Sequence, residues 1–126
     1  MNKTWHLLLI EDDVFLGSIY KTKFEQQGFR VSVADNGEDG LADAKRKKPD
    51  IILLDVLLPR VDGFEVLREL KRDTLTASIP VVLLTNLGQK EDITKGLERG
   101  AVDYLIKAHF KPSETVAVVK RVLAKK

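Results

Sequence analysis

Four short runs of this chain are apolar at nearly every consecutive position: His6-Leu7-Leu8-Leu9-Ile10, Ile51-Ile52-Leu53-Leu54, Val81-Val82-Leu83-Leu84 and Val102-Asp103-Tyr104-Leu105-Ile106. A strand with one wet face alternates apolar and polar residues. Unbroken runs of this length instead mark strands covered on both faces, as in a parallel sheet between helices. A fifth run, Phe29-Arg30-Val31-Ser32-Val33, does alternate and reads as an edge strand. Helix-length segments separate the runs. Leu16, Ile19, Tyr20 and Phe24 lie on one helical face, and Gly28 closes that helix. A second helix, about Glu38 to Lys48, has Leu41 and Ala44 as its apolar contacts. Val66, Leu67 and Leu70 line a third after Gly63, and Ile93 and Leu97 a fourth that stops at Gly100. The last opens at Pro112, with Ser113 and Glu114 in its first turn, and is lined by Val116, Val119, Val122 and Leu123. Strand and helix thus alternate five times. The expected class is α/β, a five-stranded parallel sheet wound on both faces, (βα)5.

The chain has 126 residues and no Ser-, Gly- or Pro-rich linker, which predicts a single domain over 1–126. Lys+Arg minus Asp+Glu is 21 − 19 = +2, so neither a direct nucleic-acid footprint nor a membrane surface is expected. The one dense basic run, Lys45-Arg46-Lys47-Lys48, falls where a helix C-terminus favours cations. There is no Cys, which excludes a disulfide scaffold, a thiol nucleophile and a cysteine zinc site. Two histidines, His6 and His109, offer little for a transition metal. The first apolar run is broken at once by Glu11-Asp12-Asp13, too early for a signal-peptide core or a membrane span. A cytoplasmic setting is the expectation.

In open α/β sheets, chemistry gathers beyond the carboxyl ends of the strands. There the sequence places Glu11-Asp12-Asp13 after the first strand and Asp55 after the third; Thr85-Asn86 follows the fourth and Lys107 the fifth. Acidic and hydroxyl residues populate such loops in many proteins, and singly they mean little. Carboxylates gathered from adjacent strand ends, however, repel by roughly 4 kcal/mol per pair at about 4 Å and an effective dielectric near 20. A divalent cation offsets that repulsion, and an all-oxygen set suits Mg²⁺ or Mn²⁺. The pattern reads as a metal-assisted phosphoryl site with Asp55 as nucleophile, Asp12 and Glu11 at the metal, and Lys107 and Thr85 on the phosphoryl oxygens.

Across essentially its whole length the chain closely resembles the response-regulator receiver domains of two-component signalling, the fold of the chemotaxis regulator. Leu8-Leu9-Ile10-Glu11-Asp12-Asp13 is similar to the acidic-pair motif, and Asp55-Val56-Leu57-Leu58-Pro59 with Asp62-Gly63 to the phosphoacceptor motif. Thr85 lies 85 − 55 = 30 residues past Asp55, Tyr104 and Lys107 lie 19 and 22 past Thr85, and Gly100 to Lys107 resembles the last-strand signature. The resemblance implies strand order 2-1-3-4-5. It makes Asp55 the acceptor of a phosphoryl group from a histidine kinase or phosphotransfer protein, and Thr85 and Tyr104 the switch pair on the surface formed by the fourth helix, fifth strand and fifth helix. It assigns Mg²⁺ to Asp12, Asp55, the Leu57 backbone carbonyl and, through water, Glu11; Asp13 falls to the first helix as its cap. Leu57 and Leu87 occupy the positions flanking the hydrolytic water, which implies slow loss of the phosphoryl group. Val118 stands where some dimerising receivers carry arginine, which implies a monomer before phosphorylation. The downstream protein target is not specified by these residues.

Two residues depart from the family pattern. Lys107 is followed by Ala108 rather than proline in a cis bond, and Thr85 by Asn86 rather than a small residue. A phosphorylation-independent interaction module of the same fold is the competing reading, although Asp12, Asp55, Thr85 and Lys107 are all present. A flavodoxin-like carrier would need a Ser/Thr/Gly-rich loop where Glu11-Asp12-Asp13 stands, and a dehalogenase-type phosphatase a second Asp where Leu57 stands.

Overall fold

The computed structural model describes residues 4–125. Its elements are β1 (His6–Ile10), α1 (Val14–Gln26), β2 (Arg30–Ala34), α2 (Gly37–Lys47), β3 (Ile51–Leu54), α3 (Gly63–Arg72), β4 (Val81–Thr85), α4 (Lys90–Glu98), β5 (Asp103–Ile106) and α5 (Pro112–Ala124). The five strands pair in parallel in the order β2-β1-β3-β4-β5, the doubly wound arrangement expected from the sequence.

Side chains alternate across a strand, so each unbroken apolar run feeds two cores at once. Leu8, Ile10, Ile52, Leu54, Val81 and Leu83 point to one face, where Phe64, Leu67 and Leu70 of α3 cover them. Leu7, Leu9, Ile51, Leu53, Val82, Leu84 and Leu105 point to the other, beneath Tyr20 and Phe24 of α1 and Val116, Val119 and Leu123 of α5. Asp13, Asn36 and Asp62 each cap a helix, with side chains accepting from the backbone N–H groups of Leu16, Asp39 and Phe64. Gly28 and Gly100 take φ of +90° and +106° just beyond α1 and α4, which L side chains rarely adopt.

The expected boundaries shift at several elements. β2 runs over Arg30–Ala34 rather than from Phe29, whose ring instead meets Phe24 edge-on at 5.1 Å. Ile19 is exposed rather than inward. On α4 the inward positions are Ile93 and Gly96, while Leu97 is 46% exposed. The reason is steric: a Cβ on Gly96 would lie 2.6 Å from Leu83 and 3.0 Å from the Tyr104 ring, so the helix lies close on its glycine.

At the opposite end of β1, His6 is 7% exposed. Arg30 donates to its Nδ1 at 3.3 Å, which leaves Nε2–H to donate to Ser32 Oγ at 2.8 Å, a neutral ring. Burial first, then the charges of Arg30 and Lys47, hold His6 below its ordinary 6.5. The folded chain therefore binds this proton more weakly than the unfolded one. The contribution is complete above the unfolded value and is lost as pH falls through 6.5 toward the lowered one. Urea midpoints compared at about pH 7.5 and about pH 5.5 should fall further for wild type than for His6→Gln.

Candidate functional site

Parallel strands all end on one edge of the sheet, so residues that follow β1, β3, β4 and β5 become neighbours. The ladder continues one step past the strands: Glu11 N–H donates to the Ala34 carbonyl at 2.9 Å and Asp55 N–H to the Ile10 carbonyl at 3.0 Å. Glu11 and Asp55 are thereby held side by side, with exposures of 2% and 5%. Asp12, exposed at the rim, completes a group in which one carboxylate oxygen from each of Glu11, Asp12 and Asp55 lies within 4.8 Å of the others.

Lys107 reaches into this group from the turn after β5. Its Nζ donates to Asp55 Oδ2 at 2.7 Å and also to Glu11 Oε1. The remaining Asp55 oxygen, Oδ1, accepts from Leu57 N–H at 3.0 Å. Burial acts to lower Lys107, but its hydrogen bonds to Asp55 and Glu11 outweigh it and hold the ammonium above its ordinary value. Glu11 moves up as well, because burial of its carboxyl outweighs the pull of Lys107 and the Asp13 amide. The two directions differ in origin: burial penalises both charges, while Lys107 alone has two opposite partners. Three carboxylates against one ammonium give −3 + 1 = −2. A divalent cation cancels that charge, and the all-oxygen donor set fits Mg²⁺ or Mn²⁺.

Thr85 is fully buried at the end of β4. Its hydroxyl accepts from Leu87 N–H at 3.3 Å, and among the described residues it makes no hydrogen bond to Asp55 or Lys107. Tyr104 is only 9% exposed and its hydroxyl donates to the Leu87 carbonyl. The ring lies in the core, close against Gly96 of α4. Burial, followed by the Asp92 and Asp55 charges, pushes the phenol up to about 12, so it stays a donor at neutral pH. Leu57 is 53% exposed, whereas Leu87 is half-buried against the core. Both line one groove of about 400 Å³ with Phe64, Asp92 and Lys95.

The Lys107–Ala108 bond is trans, since no described peptide bond is cis, and a single 3₁₀ turn runs over Lys107–His109 where the family pattern has proline. Asn86 Oδ1 accepts from Ala108 N–H at 3.2 Å. Sequence reasoning noted both departures without joining them. It also passed over Gly96, whose signal was a glycine inside a helical pattern.

Known proteins are similar to this chain in sequence and fold. The family model described as the response regulator receiver domain matches residues 7–120. The DNA-binding dual master transcriptional regulator RpaA of Synechocystis is 43% identical over 117 residues, 93% of this chain and 48% of that protein. The transcriptional regulatory protein AfsQ1 of Streptomyces coelicolor is 46% identical over 101 residues, 80% of this chain and 44% of that one. The chain thus spans about half the length of the curated relatives it matches. The crystal structure of a putative response regulator from Chloroflexus aurantiacus superposes with a TM-score of 0.89 at 34% identity, covering 97% of this chain and 99% of that one. Sheet order, acidic strand ends and these matches agree: the chain belongs to the family of response regulator receiver domains of two-component signalling.

Proposed function

We propose that the chain acts as one receiver domain over 1–126, accepting a phosphoryl group on Asp55 from the phosphohistidine of a histidine kinase or phosphotransfer protein. The observation that carries this reading is the Asp55 carboxylate itself, buried at a strand end and held by Leu57 N–H and Lys107 beside Glu11 and Asp12. In the reaction an Asp55 oxygen bonds to phosphorus, the N–P bond breaks, and the leaving imidazole takes up a proton. Lys107 supplies a fixed positive charge where negative charge accumulates. Asp12, Asp55, Glu11 and the Leu57 carbonyl would hold Mg²⁺ or Mn²⁺, which neutralises charge on the transferring group. The acyl phosphate adds about −1.5 to −2 charges, by analogy with other phosphorylated side chains. Thr85 then exchanges its Leu87 contact for a phosphoryl oxygen, and with Tyr104 it rebalances the α4-β5-α5 surface read by the downstream target.

RpaA and AfsQ1 are transcriptional regulators. We assign this chain the same signal-receiving role, assisting its own phosphorylation and dephosphorylation without turning over a substrate. A net charge of +2 supports a domain that does not itself bind nucleic acid. Among the described residues no helix is long and apolar enough to cross a membrane, and we place the domain in the cytoplasm. Val118 is 4% exposed in the core under α5, which supports a monomer before phosphorylation.

Isothermal titration with Mg²⁺ and labelling by acetyl phosphate test the metal assignment together. Both should fall steeply in Asp12→Ala; equal Mg²⁺ binding in variant and wild type would place the metal elsewhere. The lifetime of the product is a separate matter. Leu57 and Leu87 share a groove and neither side chain can orient a water. After donor removal in excess Mg²⁺, wild type should lose its phosphoryl group slowly, and the double variant Leu57→Asn, Leu87→Glu about tenfold faster. Unchanged decay would refute shielding by these leucines.

A further inference from the structure

β4 and β5 pair as far as Thr85 and Ile106, and no backbone hydrogen bond joins 86–89 to 107–110 among the described residues. The next residues after these strand ends carry the reacting side of the site. Lys107 has a flexible four-carbon stem, and its backbone belongs to a one-turn 3₁₀ segment whose closing bond, Phe110 N–H to the Lys107 carbonyl, is 3.3 Å long. A single turn with exposed Ala108 and His109 holds its own shape weakly. What reaches across is Asn86. Its side-chain oxygen accepts from Ala108 N–H at 3.2 Å, so it serves as the acceptor that a further rung of the ladder would have supplied.

Two more contacts fasten the same loop to β5. Tyr104 donates to the Leu87 carbonyl, and a Cβ on Gly88 would stand 3.1 Å from Ile106 Cδ1, so the backbone lies against that side chain. Residues 86, 87 and 88 are therefore tied to 108, 104 and 106 in turn. Of these ties the Asn86 one alone acts on the turn that begins at Lys107. Asn86 and Ala108 are also complementary in chemistry: alanine presents an N–H that proline lacks, and asparagine presents an acceptor that alanine lacks.

We propose that Asn86 is a positioning residue: by clamping the Ala108 amide it fixes the turn that aims Lys107 at Asp55. The clamp acts only through Lys107, and its effect on phosphoryl uptake rests on the reading of Asp55 given above. Losing one such hydrogen bond corresponds to about threefold to tenfold in rate.

The test follows two quantities, hydrogen exchange at the Ala108 amide by NMR and the initial rate of labelling by phosphoramidate in saturating Mg²⁺. Asn86→Ala should lose Ala108 protection and label about threefold to tenfold more slowly. Asn86→Asp keeps the acceptor and should restore the protection. Ala108→Pro removes the donor, and in that background Asn86→Ala should add no further slowing, as for two halves of one interaction. Ala108 protection unchanged in Asn86→Ala overturns the clamp, and so does lost protection with labelling at the wild-type rate. A wild-type chain that takes no label sinks the reading of Asp55 instead; Ala108 protection, which needs no phosphoryl donor, then scores the clamp alone.

Discussion

Lys107→Ala should slow phosphoryl uptake by about a hundredfold or more, because removing one preorganised charge partner from a reacting centre costs on that scale. Lys107 is the cation bonded to both buried carboxylates, Glu11 and Asp55. Without it, and before a metal binds, carboxylate oxygens within 4.8 Å of one another repel by about 3–4 kcal/mol per pair at an effective dielectric near 20. Asp55 also loses the donor on Oδ2, and the oxygens of the incoming group lose their nearest fixed positive charge. The measurement is the initial rate of labelling by acetyl phosphate in saturating Mg²⁺, where the metal site is filled in both proteins. Lys107→Arg should recover only part of the rate, since the planar guanidinium is not a point charge on the same stem. A rate within about threefold of wild type for Lys107→Ala would remove Lys107 from the reaction.

Gly63→Ala should destabilise the domain by about 3 kcal/mol, at the upper end of what overpacking costs. A Cβ at this position would lie 2.4 Å from Val56 Cα, 2.5 Å from the Asp55 carbonyl oxygen and 2.8 Å from the Val56 carbonyl oxygen. All three are backbone atoms, so no rotamer change relieves the overlap. Gly63 N–H also donates to the Val56 carbonyl at 2.9 Å, and Asp62 caps the helix that starts here, so the chain cannot move aside without losing both bonds. For a domain of this size the change corresponds to roughly 10 °C in melting temperature. Because the displaced atoms flank Asp55, labelling of the folded fraction should also slow. Gly40→Ala provides the contrast. The three nearest atoms to its Cβ would be side-chain carbons of Ile10, Cδ1 at 2.5 Å, Cγ1 at 2.9 Å and Cγ2 at 3.1 Å, rather than backbone, and a smaller loss is expected. Equal melting temperatures for Gly63→Ala and wild type would contradict the close approach of α3 to the Asp55 loop.

The strands were legible because each apolar run serves two cores, so Leu7 and Leu8 are both buried although they point in opposite directions. The site was legible for a topological reason. Once the sheet is parallel, Glu11, Asp55, Thr85 and Lys107 must share one edge, and only their rotamers remain open. What stayed hidden depends on absent or ambiguous side chains. α4 turns inward on Gly96, and a glycine contributes nothing to an apolar stripe, so Leu97 read as the inward residue in its place. Tyr104 could be placed at the switch position but not given an orientation, because its ring direction is decided by one hydrogen bond to the Leu87 carbonyl. The pairing of Asn86 with Ala108 joins two loops 22 residues apart, and periodicity carries no record of such a contact.

The most direct measurement of the central claim is the mass of the intact chain after incubation with phosphoramidate or acetyl phosphate and Mg²⁺, beside Asp55→Asn treated in the same way. Wild type should gain one phosphoryl group, lost on warming in alkali as an acyl phosphate is, and Asp55→Asn should gain none. Wild type without a phosphoryl group, or an equal gain in Asp55→Asn, would contradict Asp55 as the acceptor.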